Sequence, residues 1–90
     1  MKTKYVMFED MKGVEVPFLF PDYVTHKDFA RHMMRDGYTY VSAGFVDIDV
    51  DQFLQPIYQV YGESISLDLK SRPEDSKIIN DMMNFMRGEA

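Results

Sequence analysis

The chain has no cysteine, which excludes disulfide bonds and thiolate metal sites. Glycine and proline are also few, five and four in 90 residues, and there are no polar repeats, so wholesale disorder is disfavoured. No apolar run follows the weakly basic N-terminus, because Glu9, Asp10 and Lys12 interrupt it, and no run approaches the length of a membrane-spanning helix. We therefore predict a single cytoplasmic domain over residues 1–90 that makes no membrane contact.

Basic residues are missing from the middle of the chain. Between Arg35 and Lys70 there is no lysine or arginine, whereas the same stretch holds six acidic side chains. The net charge of the whole chain is −5. Because non-specific binding to nucleic acid requires a basic surface, we expect no direct nucleic-acid binding.

Hydrophobic residues make up 46% of the chain, which is enough for a small core. Residues 4–9, 14–20 and 39–46 have the composition of strands, and Pro17 predicts that the second of them lies at a sheet edge or contains a bulge. Residues 57–69 also resemble a strand, interrupted at Gly62 by either a bulge or a turn. Apolar positions change parity after Val46, which predicts a kink or a bulge within 44–47.

Two helices complete the predicted fold. Thr25 is a typical N-cap for a helix over 26–36, which Gly37 would end. Ser71 and Glu74 form a capping-box pattern before a second helix with an apolar stripe. The predicted order is ββαββα, an α+β domain with an antiparallel sheet of four or five strands and both helices on one face.

Carboxylates at alternate positions, Asp47, Asp49 and Asp51, resemble the start of a calcium-binding loop. Gln52 replaces the glycine that such a loop needs, and Tyr58 replaces its final glutamate. We therefore predict no metal site and no cofactor. The alternatives are the solvated face of a strand, an edge protected by charge, or an acidic binding surface.

Lys27, Arg31 and Arg35 recur every four residues and so line one stripe of the first helix. Such a stripe can bind a phosphate or an acidic partner, although it is also typical of an ordinary solvent-facing side. We predict a binding surface from these three residues together with the three aspartates.

Catalysis has little support in the sequence. No serine lies in a nucleophile elbow, Glu63 has no identifiable partner, and no phosphate-binding loop is present. His26 and His32 are six residues apart, which is the wrong spacing for a metal pair on a helix, and they are predicted to be capping-turn or surface histidines. We predict that the protein is not an enzyme.

Six tyrosines and eight methionines are many for 90 residues. Both residue types are enriched at protein interfaces, so this composition predicts a homodimer. The alternative is that the tyrosines line the edge of the core with their hydroxyl groups in water.

The segments 41–46 (VSAGFV), 61–67 (YGESISL) and 71–75 (SRPED) together resemble a family of small uncharacterised phage and prophage proteins. Residues 20–22 (FPD) and 24–26 (VTH) fit the same pattern. The resemblance implies origin and no established activity. Small phage proteins of this kind often bind and alter a host protein, including defence and regulatory proteins.

Three functions are consistent with these patterns. The first is a phage-type accessory protein that binds a host macromolecule without catalysis. The second is a homodimer that binds a small ligand such as a nucleotide, with Arg31, Arg35 and tyrosine rings holding phosphate and base. The third is an inhibitor that mimics DNA through the acidic stretch.

Overall fold

The computed structural model describes residues 2–34 and 37–88. Their elements, in chain order, are β1 (Thr3–Glu9), β2 (Glu15–Pro21), α1 (His26–Met34), β3 (Thr39–Val50), β4 (Pro56–Tyr61), β5 (Glu63–Ser64), β6 (Leu69–Lys70) and α2 (Pro73–Met86). Four strands form an antiparallel sheet in the order β2-β1-β3-β4, and β5 pairs with β6 in a separate small sheet. The predicted α+β class and antiparallel sheet are confirmed.

The main sheet is covered on both faces. Four consecutive residues of β1 are fully buried, although neighbouring residues of a strand point to opposite faces. The core on the α2 side is built around Tyr5, Met7, Val46 and Ile79. The core on the α1 side is built around Val6, Phe8, Phe20, Ala30 and Ala43. The prediction that both helices pack on one face is therefore wrong, because burial of every residue in this part of β1 requires cover on both sides.

Burial on both faces also explains the apparent change of parity in β3. This strand runs from Thr39 to Val50, and its register with β1 and with β4 is regular across 44–47, so the predicted kink or bulge there is wrong. Val46 points to the α2 face and Ala43 to the α1 face, and both are apolar because each face has its own core. The register instead shifts opposite Met7 and Phe8, where β3 carries an extra residue.

The ends of the main sheet follow from proline and glycine. β2 pairs only with β1 and lies at an edge, as Pro17 predicts. At Gly62 the backbone has a φ of 72°, and the chain leaves the main sheet after Tyr61. The strand predicted over 57–69 therefore ends early, and Gly62 is a turn position. A Cβ at Gly44 would lie 2.7 Å from the carbonyl oxygen of Tyr61, so glycine permits this close approach.

Both helices begin at side-chain caps. Thr25 Oγ1 accepts the Asp28 N–H at 3.1 Å, which confirms the predicted cap of α1. The predicted end of this helix at residue 36 lies outside the described residues. Helix α2 is capped one residue later than predicted, because Asp75 accepts the Arg72 N–H at 3.2 Å. The Ser71 hydroxyl instead donates to the carbonyl oxygen of Gly62.

Helix α2 also covers the outer edge of β4. The Val60 N–H donates to Ser76 Oγ at 3.0 Å, and the Tyr58 N–H donates to Asn80 Oδ1 at 2.9 Å. Asn80 Nδ2 donates back to the Tyr58 carbonyl at 2.8 Å. One turn of helix and two residues of strand both span roughly 6 Å. Ser76 and Asn80, one turn apart on α2, therefore reach the N–H groups of alternate residues along β4. Pro56, the next edge position, has no N–H to satisfy.

Candidate functional site

A groove of about 600 Å³ runs between α1 and the β5–β6 hairpin. Its lining residues are Lys27, Ala30, Arg31, Met34, Tyr40, Ser66 and Leu67. Two of the three predicted basic residues, Lys27 and Arg31, therefore face the same cavity. Arg35 lies outside the described residues. We call this cavity the α1 groove.

The hairpin wall of the groove is fixed by serine hydroxyl groups. Ser66 Oγ accepts the backbone N–H of Lys27 at 3.2 Å, and Ser64 Oγ accepts the N–H of Leu67 at 3.2 Å. Ser64 is buried, whereas Ser66 is exposed. The hairpin is thus attached to the first turn of α1 through backbone groups, which leaves the lysine side chain available to the groove.

The second predicted surface lies on the β3–β4 arm, which we define as residues 47–57. β1 pairs with β3 only as far as Val46, so the arm consists of β3 and β4 alone and extends past the end of β1. Asp47 and Asp49 are exposed at alternate positions and therefore lie on one face of the arm. Asp51 has another role, because its Oδ1 accepts the N–H groups of Phe53 and Gln55 at the turn. The structure does not bring all three predicted carboxylates together as one acidic surface.

The arm also exposes large apolar side chains, which the sequence did not single out. At its tip Phe53 is 71% exposed and Leu54 is 82% exposed. Its other exposed apolar residues are Ile48, Val50 and Ile57. Aspartate alternates with Ile48 and Val50 along β3, a pattern that indicates the two sides of a strand, and it gives no sign that Phe53 and Leu54 extend this apolar surface at the turn.

A buried polar cluster joins α2 to the sheet and was also missed. Asp75 is fully buried, and its Oδ2 accepts the hydroxyl groups of Tyr5 and Ser42, each at 2.6 Å. Its Oδ1 accepts Nε and Nη2 of Arg72 at 2.9 and 2.7 Å. The other side of the guanidinium forms a bidentate pair with Glu15. The cluster connects β1, β2, β3 and α2.

The burial and hydrogen bonds of this cluster keep Tyr5 and Arg72 protonated. Burial, followed by the hydrogen bond to Asp75, raises the pKa of Tyr5 well above its ordinary value. Hydrogen bonds to Glu15 are the main reason that the pKa of Arg72 is raised further. Tyr5 therefore stays neutral and Arg72 stays charged near neutral pH, which suits a structural role.

Comparison with protein-family models, with curated proteins and with solved structures finds no match to this chain. The resemblance to phage proteins therefore stays a prediction. Function has to be inferred from the side chains that the fold brings together.

His26 begins α1 at the predicted capping turn but is buried there, whereas His32 is at the surface. Nε2 of His26 donates to the carbonyl oxygen of Gly44 at 2.8 Å, and its ring meets Phe20 and Phe45 edge-on. Burial is the main cause that lowers the pKa of His26. The imidazole is therefore neutral at neutral pH and belongs to the core.

Within residues 2–34 and 37–88, no three acidic or histidine side chains are grouped so that they could hold a metal ion. Across those same residues, the structure contains no helix with the length and apolar character needed to cross a membrane.

Proposed function

We propose that this chain is a non-catalytic binding protein that holds a partner protein through the β3–β4 arm. The observation that supports this most is the exposure of Phe53 and Leu54 at the tip. Large exposed apolar side chains that lie together are typical of contact surfaces, and a few of them usually supply most of the binding energy. The arm projects them past the covered part of the sheet.

The charge of the arm indicates what kind of partner it fits. Asp47 and Asp49 are exposed, and neither makes an ion pair with any described residue. The chain as a whole is also negative, at −5. A complementary partner would present an apolar pocket with a basic rim, because opposite charges at the rim speed association and select the partner.

A different protein fits the arm better than a second copy of this chain. A two-fold symmetric pairing through the arm would bring the carboxylates of both copies together, and like charges repel. If the phage resemblance holds, the partner is a bacterial host protein in the cytoplasm. DNA mimicry is less favoured, because Asp49 and Asp51 each use Oδ1 to accept backbone N–H groups, which leaves few free carboxylate oxygens at this surface.

The test is capture of a partner from bacterial lysate by the tagged chain and by variants of the arm. Leu54 has a φ of 61°, which asparagine tolerates better than leucine, so Leu54→Asn removes the apolar side chain without cost to the fold. A Phe53→Ser/Leu54→Asn variant and an Asp47→Lys/Asp49→Lys variant should each lose the partner. Circular dichroism of each variant checks that the domain remains folded.

The matched control is Met11→Gln. Met11 is 88% exposed in the β1–β2 turn, at the opposite end of β1 from the arm. This variant should retain the partner in equal amount. A protein captured equally well by both arm variants would refute the arm as the contact surface, and light scattering on the purified chain would show whether it pairs with itself.

A further inference from the structure

The α1 groove combines two positive charges with an apolar floor. Lys27 and Arg31 are exposed along its rim, and neither makes an ion pair with any residue of the described ranges. Like charges four residues apart destabilise a helix slightly, so the fold gains nothing from this pair. An anion held between them would remove that repulsion and form charge-assisted hydrogen bonds.

The floor and far wall of the groove suit a ring. Ala30 is 1% exposed and forms the base, and Leu67 is half-buried beside it. Tyr40 is half-buried as well, and Met34 is 50% exposed at the end of the last helical turn. Apolar side chains and one aromatic ring favour binding of a planar ring of the ligand, because the ring would cover them. A simple anion would leave these side chains exposed to water.

Uncharged hydrogen-bonding groups lie beside Lys27 and Arg31 in the α1 groove. Ser66 Oγ accepts the Lys27 N–H and lies 3.4 Å from Ser64 Oγ, and its hydroxyl group can still donate when the Ser64 hydroxyl is the donor of that pair. The first amides of α1 are already used, because Asp28 donates to Thr25 Oγ1 and Phe29 donates to the Thr25 carbonyl. The attraction for an anion therefore comes from the two side chains and not from the helix end.

We propose that the α1 groove binds a small phosphate ester with a planar ring, of which a nucleoside monophosphate is the representative. The phosphate lies between the Lys27 ammonium and the Arg31 guanidinium. The ring lies over Ala30 and Leu67. At about 600 Å³ the groove falls within the size range of small-molecule sites. This site is separate from the β3–β4 arm, and the proposal does not rest on the proposed function.

The experiment is a titration with adenosine 5′-monophosphate, followed by ¹H–¹⁵N NMR and calorimetry. Inorganic phosphate and adenosine are titrated separately. The intact nucleotide should bind at least about tenfold more tightly than either part, because each part makes only one kind of contact. Shifted amides should fall in residues 27–34, 40 and 64–67, while those of α2 remain unchanged.

Charge-removing variants make the test specific. Lys27→Gln and Arg31→Gln should each weaken nucleotide binding by roughly tenfold, and the backbone bond from residue 27 to Ser66 remains in both. The matched control is Lys77→Gln, which removes one exposed positive charge from α2 on the other face of the sheet and should bind like the unchanged chain.

Three outcomes would overturn the proposal. The first is no saturable shift at millimolar nucleotide. The second is equal binding by Lys27→Gln, Arg31→Gln and Lys77→Gln, which indicates attraction to net charge alone. The third is phosphate binding as tight as nucleotide binding, which removes the role of the apolar floor.

Discussion

At the scale of single residues, Asp75 shows how a buried charge is compensated. Five donor groups converge on its two carboxylate oxygens, and they come from Tyr5, Ser42 and Arg72. Removing an ion from water is costly, and only a full set of donors compensates for that cost. No buried side-chain nitrogen or oxygen in the described part of the chain lacks a hydrogen-bond partner.

Asp75→Asn should therefore lower the free energy of unfolding by about 3 kcal/mol, since an amide offers one acceptor oxygen and no charge to these five donors. Chemical denaturation measures the change. The control is Glu74→Gln, which removes an exposed charge from the same helical turn and should cost less than about 1 kcal/mol. Equal losses in the two variants would mean that the buried contacts contribute nothing.

His26 makes stability depend on pH. The pKa of its buried imidazole is lowered, so the unfolded chain, with an ordinary pKa near 6.5, takes up the proton first. The stabilisation is complete above that value and is lost as the pH falls through the lowered pKa of the folded state. We expect the free energy of unfolding to fall between pH 7.5 and 5.5.

Denaturation at several pH values tests this expectation with two variants. His26→Gln should be less stable at every pH but should lose most of the dependence between pH 7.5 and 5.5. His32→Gln, which changes an exposed histidine, should retain it. The same dependence in both variants would assign it to other groups.

Local signals in the sequence predicted residues whose roles depend on near neighbours. Thr25 as a helix cap and Pro17 at an edge strand are of this kind, and both are confirmed. The hydrogen bonds around Asp75 were not predicted, since Tyr5 and Ser42 lie 70 and 33 residues away. Such distant partners leave no local pattern.

At the scale of elements, the sequence predicted the type and order of the helices and strands better than the face of the sheet on which each helix packs. A strand covered on both faces has no alternation, and β1, with four buried residues in succession, is such a strand. The apolar stripe of each helix predicted that it packs but not on which face. The α1 groove depends on that missing information, because the β5–β6 hairpin forms its second wall.

The contact between α2 and the edge of β4 can be tested one bond at a time by hydrogen exchange. Asn80→Ala should increase exchange of the Tyr58 amide by tenfold or more while leaving the Val60 amide nearly unchanged. Ser76→Ala should have the reverse effect. If both amides respond equally to either variant, α2 detaches as a unit and the individual bonds do not protect the edge.

At the scale of the whole molecule, opposite charges lie on different elements. The groove carries Lys27 and Arg31 on α1, and the arm carries Asp47 and Asp49 beyond the sheet. The sequence predicted the basic residues and the acidic residues as binding residues. Only their positions in the fold show that the basic pair lines a cavity suited to a small ligand and that the acidic pair lies on a surface suited to a protein. The two proposals can therefore fail independently.

The tyrosines contribute less free surface than their number suggests. Tyr5 is fully buried, and Tyr38, Tyr40 and Tyr58 are half-buried in or beside the two cores. Tyr23 is the most exposed of the six, at 78%. The homodimer stays a prediction, and its support from composition now rests on fewer side chains.

The two edges of the main sheet are closed in different ways. β2 contains Pro17 and Pro21, which have no N–H groups to donate whatever the state of the rest of the fold. The N–H groups at the edge of β4 are satisfied only while Ser76 and Asn80 of α2 contact them. Detachment of α2 would expose an unpaired strand edge and an apolar sheet face together. An exposed edge beside an apolar face can pair with another chain, so release of α2 is the opening of this fold that we expect to favour aggregation.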